Sequence, residues 1–229
     1  MDQLRDRTAI IVPVYNEEHT LAKVLDELVA TNLRIYCVND CSTDQTQNIL
    51  LNYSEKIYCI EHLKNLGQGG ALKTGIEIAK QNTKNDFFIT FDADGQHQIS
   101  DIDKFLNEVA KSNSEVILGS RFKENKISSG LPFWRKFLLK CGTYYFKTFY
   151  SLNLTDTHNG FRLIQRGALS IFSISDYGMS HATEILENVS KSGFRYSEIG
   201  VDIKYSAYSI QKGQSSLDII EHFFRRIIR

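Results

Sequence analysis

Three observations predict an α/β fold built on a mixed, mostly parallel sheet with helices on both faces. Over the first two thirds of the chain, short apolar runs alternate with stretches of helical periodicity. The runs are apolar throughout rather than at alternate residues, as in strands buried on both sides. Polar and acidic residues gather just after several runs, at what would be the carboxyl edge of a parallel sheet.

Each element has its own signal. Thr8–Val14 is a continuous apolar run rich in β-branched residues and reads as the first strand. Asn16 is placed to cap the next helix, with Glu17 and Glu18 in its first turn and Leu21, Val24, Leu25 and Leu28 along one face. Arg34–Val38 is the second strand, and Asp44 is placed to cap a short helix through Leu51. Lys56–Ile60 is the third strand. The turn Gly67-Gln68-Gly69-Gly70 opens a helix to about Gln81. Asp86–Phe91 is the fourth strand. Ser100 is placed to cap a helix to about Lys111, and Glu115–Leu118 is the fifth strand. Beyond Arg121 the alternation stops. A helix is expected near His181–Lys191 and a strand near Tyr196–Tyr205, followed by a basic amphipathic tail, Leu217–Arg229. The chain reads as one domain over residues 1–205 with a C-terminal amphipathic helical extension over 206–229.

Composition narrows the class. With 229 residues, 42% hydrophobic and 24% charged, the chain can bury a full core, so disorder is excluded. Lys plus Arg equals Asp plus Glu, 27 each, so the basic excess of a nucleic-acid binder is missing. Cys37, Cys41, Cys59 and Cys141 form no CxxC pair and no zinc spacing. Cys37 and Cys59 lie in apolar runs, and free buried thiols in a reducing compartment are expected. The polar N-terminus and the lack of an apolar run of about 18 residues predict a cytoplasmic protein, with attachment to a membrane surface left open.

That attachment has a candidate segment. Arg121–Tyr150 carries seven basic residues against one acid, Glu124, with nine aromatics interleaved. Such a segment suits phosphates or a lipid surface. The tail adds Ile219, Ile220, Phe223, Phe224, Ile227 and Ile228 beside Arg225, Arg226 and Arg229.

The sharpest chemical signal is Asp92-Ala93-Asp94. Two carboxylates two residues apart, where an apolar strand ends, can point the same way. Without a cation they would repel, and one would tend to hold its proton. A hard divalent ion such as Mg²⁺ resolves this, completing its shell with water and substrate phosphates, and Gln96 adds a neutral oxygen. Asp40 stands where nucleotide-binding sheets often place a ribose-binding carboxylate, and equally suits an Asx turn. The glycine turn fits neither GxGxxG nor the P-loop, because Leu72 stands where each needs glycine.

At these residues the sequence resembles the family-2 glycosyltransferases of GT-A (Rossmann-like) fold, especially the polyprenyl-phosphate (dolichol-phosphate) branch. Val12-Pro13-Val14-Tyr15-Asn16-Glu17-Glu18 resembles the opening strand motif. Asn39-Asp40-Cys41-Ser42-Thr43-Asp44-Gln45-Thr46 is similar to the family's DDGSxDxT. Asn65-Leu66-Gly67-Gln68-Gly69-Gly70-Ala71 resembles its NxGxGxA turn, and Phe91 to His97 its metal motif. Gly119-Ser120-Arg121-Phe122 and Asn159-Gly160-Phe161-Arg162 resemble two later segments.

The resemblance implies that Pro13, Tyr15, Glu17, Val38 and Asp40 line a nucleoside site, with Phe91 and Ala93 beside the diphosphate. It implies that Asp92, Asp94 and Gln96 hold Mg²⁺ or Mn²⁺, and that Arg121 and Arg135 face donor or acceptor phosphates. The implied reaction is sugar transfer with inversion from a UDP- or GDP-sugar to a polyprenyl-phosphate or polyprenyl-linked saccharide. It would take place at the inner membrane face, without nucleic acid and with a homo-oligomer left open. Cys41 and Asn39 depart from the family's Gly and Asp, and Ile210 and Ser216 replace two late basic residues of the dolichol-phosphate members. A sugar hydroxyl as acceptor would need a general base, and Glu184, then His181 and Asp156, are the candidates. A sugar nucleotidyltransferase and a non-catalytic sugar-nucleotide-binding subunit are the alternative readings.

Overall fold

The structure is a computed structural model that describes residues 2–123, 133–175, 177–178 and 180–204, with side chains in the helix 133–150 described from residue 139 onward. A short N-terminal turn, α1 (Asp2–Arg5), precedes a seven-stranded sheet of order β3-β2-β1-β4-β6-β5-β7. The strands are β1 (Thr8–Val14), β2 (Arg34–Asn39), β3 (Tyr58–Glu61), β4 (Phe87–Thr90), β5 (Val116–Ser120), β6 (Arg162–Gln165) and β7 (Tyr196–Gly200). All neighbours run parallel except β6, which is antiparallel to both β4 and β5.

The helices are α2 (Leu21–Val29), α3 (Thr46–Asn52), α4 (Gln68–Gln81), α5 (Asp101–Lys111), α6 (Phe133–Tyr150) and α7 (His181–Ser192). They form one layer on each side of the sheet. On one side Leu21, Leu25, Leu28, Phe105 and Phe161 pack on Ile10 and Val12. On the other, Leu72, Ile76, Phe146, Ile185 and Leu186 pack on Ile11 and Phe88. Each fully buried side chain of this size contributes roughly 1.5–3 kcal/mol relative to exposure. With β1 and β4 buried on both faces, these strands are apolar at every position except the terminal threonines Thr8 and Thr90.

Several expectations are corrected. Asn16 does not cap α2, which begins at Leu21 after Thr20. Instead Asn16 adopts φ +52° and its Oδ1 accepts from Thr43 N at 2.8 Å, so the loop after β2 recruits the side chain. Ser100 precedes α5 without a side-chain capping bond. Cys59 is exposed, because β3 is the edge strand, while Cys37 is buried; all four cysteines are free. The last strand stops at Gly200. The tail, Leu217–Arg229, and the extension 206–229 lie outside the described residues.

The antiparallel β6 was not anticipated as a strand. It has four residues, RLIQ, led by a buried arginine, and so carries neither the length nor the apolar continuity of its neighbours.

Candidate active site

Parallel β1, β2 and β4 end side by side, and the loops that follow them are tied together. Asn16 N donates to Ser42 Oγ at 3.0 Å and Glu17 N to Thr46 Oγ1 at 2.9 Å. Glu18 Oε2 accepts from Gln45 N at 3.0 Å. Thr20 Oγ1 links this region to the loop after β4 by donating to Ala93 O at 3.0 Å. Tyr15 is 43% exposed and Glu17 is buried. Pro13 and Val38 are register partners on β1 and β2. Phe91 is fully buried, its ring edge-on to Phe161 at 5.3 Å.

Asp40 is buried and spends its carboxylate inside the protein. It accepts from Leu66 N at 2.9 Å, from Gly67 N at 2.7 Å, and meets His62 Nδ1 at 2.7 Å. His62 Nε2 in turn meets Thr74 Oγ1 at 2.9 Å. The glycine turn is thus fastened to the end of β2. Gly67 is required there twice over: its φ is +88°, and a Cβ would stand 2.4 Å from Tyr177 O.

Asp92 and Asp94 follow β4. Asp92 Oδ1 accepts from Gln68 Nε2 at 2.9 Å, and Oδ2 pairs with His97 Nε2 at 3.0 Å. Because a carboxylate only accepts, His97 Nε2 is the donor of this bond; its buried Nδ1 has no partner among the described residues. Burial would raise the Asp92 carboxyl, but the hydrogen bond and charge of His97, with His181 and Arg162 nearby, hold it below the usual range. Asp94 goes the other way. Burial, then repulsion from Asp92, pushes it up to about 6. Its Oδ1 accepts from Gln96 N at 3.0 Å.

The two carboxylates therefore repel one another. No group of three or more His, Cys, Asp or Glu among the described residues forms a metal cage. A pair of hard oxygen donors without a third side-chain ligand suits Mg²⁺ or Mn²⁺ that brings phosphate and water oxygens with it. The residues fit such an ion.

Glycine shapes the site a second time at Gly160, where a Cβ would lie 2.6 Å from Asp92 Oδ2. Behind Asp92, between α4 and α7, lies a cavity of about 160 Å³. It is lined by Gln68, Thr90, His158, Gly160, Arg162 and His181 among others.

Arg121 lies elsewhere in the network than on an open surface. Its Nε and Nη2 form a fork on Asp156 Oδ2 and Oδ1, both at 2.7 Å, and its backbone N adds a bond at 3.1 Å. Asp156, though buried, is held below the usual carboxylate range by Arg121. Glu184 accepts from Ser175 N with both oxygens at 3.0 Å and from Ser175 Oγ at 2.9 Å; it is not among the cavity-lining residues, whereas His181 is. Arg135 lies on α6, and its side chain is outside the described residues. Arg162 received no function from the sequence. The signal available was its place in Asn159-Gly160-Phe161-Arg162, and only the antiparallel insertion of β6 beside β4 brings it to Asp92.

A doubly covered sheet with an acidic carboxyl edge and crossed loops after β1, β2 and β4 defines a glycosyltransferase of GT-A fold. The chain belongs to glycosyl transferase family 2, whose model matches residues 9–172. It is 29% identical to the UDP-N-acetylglucosamine–dolichyl-phosphate N-acetylglucosaminyltransferase of Methanococcus voltae, over 96% of this chain and 94% of that one. It is 28% identical to the human dolichyl-phosphate beta-glucosyltransferase, over 74% of this chain and 58% of that protein. Among solved structures it is similar to glucosyl-3-phosphoglycerate synthase from Mycobacterium tuberculosis in complex with Mn²⁺, UDP and phosphoglyceric acid. The TM-score is 0.65 at 12% identity, covering 92% of this chain and 75% of that one. S. aureus TarS gives a TM-score of 0.59 at 19% identity, covering 84% and 58%. These two likenesses bear on the fold.

Proposed function

We propose that this protein transfers a sugar, with inversion, from a UDP- or GDP-sugar to a polyprenyl-phosphate acceptor at the cytoplasmic face of a membrane. The observation that carries the reading is the Asp92–Asp94 pair at the end of β4, held against the loops after β1 and β2. Relatives named for dolichyl-phosphate acceptors support the acceptor class.

The chain's own residues do the following. The rim formed by Tyr15, Glu17 and the loop after β2 receives the nucleoside. Gln68 and His97 fix the Asp92 carboxylate, and Gly160 lets it sit against β6. Asp92, Asp94 and Gln96 would hold Mg²⁺ or Mn²⁺. When bound, such an ion stabilises the negative charge that develops on the departing diphosphate. A phosphate acceptor is already anionic and needs no general base, which agrees with Glu184 being engaged by Ser175.

The membrane face has a candidate in α6. Its described exposed side chains Lys140, Tyr144, Lys147 and Thr148 fall along one stripe, with Phe146 buried on the far side, and Phe149 is exposed near the end of the helix away from that stripe. Tyr144 and Phe149 are 71% and 70% exposed. Among the described residues no helix is long and apolar enough to cross a membrane, so the stripe supports peripheral attachment.

The acceptor class is tested with Glu184→Gln. Nucleoside diphosphate release is assayed with polyprenyl phosphate and with a polyprenyl-linked saccharide. Turnover within about threefold of wild type on the phosphate is expected. A loss on the order of 10²–10⁴, the usual worth of a general base, would instead indicate a hydroxyl acceptor.

A further inference from the structure

Arg162 is 4% exposed, yet its guanidinium makes a single hydrogen bond among the described residues, from Nε to Asn159 O at 3.1 Å. It forms no ion pair there. The two nearby carboxylates are already engaged: Asp156 by the Arg121 fork, Asp92 by Gln68 and His97. Burial pulls Arg162 down to about 10, with Asp92 and Asp156 opposing, so it is cationic at neutral pH. A buried cation with an unused fork is costly unless something pairs with it.

The fork's surroundings favour an anion. Arg162 lines the cavity behind Asp92. The first residues of two long helices line the same cavity: Gln68 opens α4, 14 residues, and His181 and Ala182 open α7, 12 residues. Several first-turn N–H groups are taken, Gly69 N by Tyr177 O, His181 N by Gly178 O and Thr183 N by Ser180 O, but the partial positive charge of each helix N-terminus still faces the cavity. Thr90, His158 and His181 add polar side chains, and Asp92 is the one carboxylate among the lining residues. The volume is about 160 Å³, against roughly 10–15 Å³ for one water on the same basis. A tetrahedral oxyanion has room.

We infer that this cavity is an oxyanion subsite in which Arg162 receives the phosphate monoester of the acceptor. The choice of the acceptor rests on the function proposed above. It follows from the two sides of Asp92. Asp94 interacts with Glu17 on the α2 side, where Thr20 holds Ala93 O. Arg162 lies on the α4–α7 side, with apolar walls from Leu72, Phe172 and Ile185. One phosphate-bearing substrate can approach on each side, and the apolar walls suit the prenyl one.

The test is isothermal titration calorimetry of the full chain with three probes: inorganic phosphate, a water-soluble short-chain prenyl monophosphate, and UDP with Mg²⁺. Arg162→Lys keeps the charge but loses the planar fork. Ala182→Leu fills the cavity and leaves Arg162 in place, which guards against a folding defect at the buried arginine. Both variants should weaken phosphate and prenyl monophosphate at least tenfold and leave UDP within about twofold. Unchanged phosphate binding in both variants would overturn the subsite. UDP weakened as much as phosphate would hand the cavity to the donor and overturn the acceptor assignment. If the wild type binds prenyl monophosphate through Arg162 but moves no sugar to it, the proposed function fails while the subsite stands.

Discussion

Gly160→Ala is the substitution whose effect the geometry fixes most closely. The added methyl would stand 2.6 Å from Asp92 Oδ2, 3.1 Å from Oδ1 and 3.2 Å from Cγ. Ordinary contact begins near 3.4 Å, so the carboxylate must retreat by roughly 0.8 Å. That movement stretches the bonds from Gln68 at 2.9 Å and His97 at 3.0 Å. Overpacking of this kind costs about 1–3 kcal/mol of stability. Misplacing a reacting or binding group by about 1 Å costs on the order of 10²-fold in rate. Gly160 shows no positive φ, so backbone strain is not the cause. Gly167→Ala, where a Cβ meets nothing within 4 Å, is the control. The assay is kcat/KM for donor turnover alongside a thermal melt. Gly160→Ala with turnover within about threefold of wild type would refute the claim that the position of Asp92 limits the reaction.

Two further predictions concern the network around Asp156. Arg121→Ala leaves the fully buried Asp156 side chain without its fork and should destabilise the fold by roughly 3–5 kcal/mol in denaturant unfolding. An unchanged midpoint would mean that the arginine serves substrate alone. In acid, His158 matters: burial pushes its imidazole down to about 4 from an ordinary 6.5. Between those values the unfolded chain takes up a proton that the folded chain refuses. Stability should therefore fall as pH drops from 6.5 towards 4, by at most about 3 kcal/mol from this group. Asp156, held low, adds a loss that sets in below the ordinary carboxylate value. His158→Gln should flatten the upper part of this decline in urea midpoints measured across the window, and an unaltered slope would contradict the assignment.

The parallel half of the fold was legible because burial on both faces leaves a mark on sequence. The interiors of β1, β2 and β4 are apolar on both faces, and polar residues gather at and just after their carboxyl ends. The glycine turn was legible as a close approach but not its partner, since Tyr177 lies more than a hundred residues downstream. Asn16 was misread because a capping side chain and a loop-bridging side chain look the same until the loop after β2 is in place. Cys59 was misread because apolar character alone does not tell an edge strand from a central one. β6, and with it the place of Arg162 beside Asp92, could not be read because a four-residue antiparallel insertion is set by tertiary pairing with β4 and β5. The Asp92–Asp94 pair was legible from spacing, whereas the opposite shifts of the two carboxyls depend on burial, which raises Asp94, and on His97 with the sequence-distant His181 and Arg162, which lower Asp92.

The most direct measurement is sugar transfer itself. Purified protein is incubated with labelled UDP- and GDP-sugars, polyprenyl phosphate and Mn²⁺, and label is counted in the lipid phase, with chelator and Asp94→Asn in parallel. The account predicts lipid-linked label from one donor, lost in both parallel reactions while Asp94→Asn stays folded. Transfer that persists in Asp94→Asn and in chelator, or donor bound with no label reaching the lipid, would contradict it.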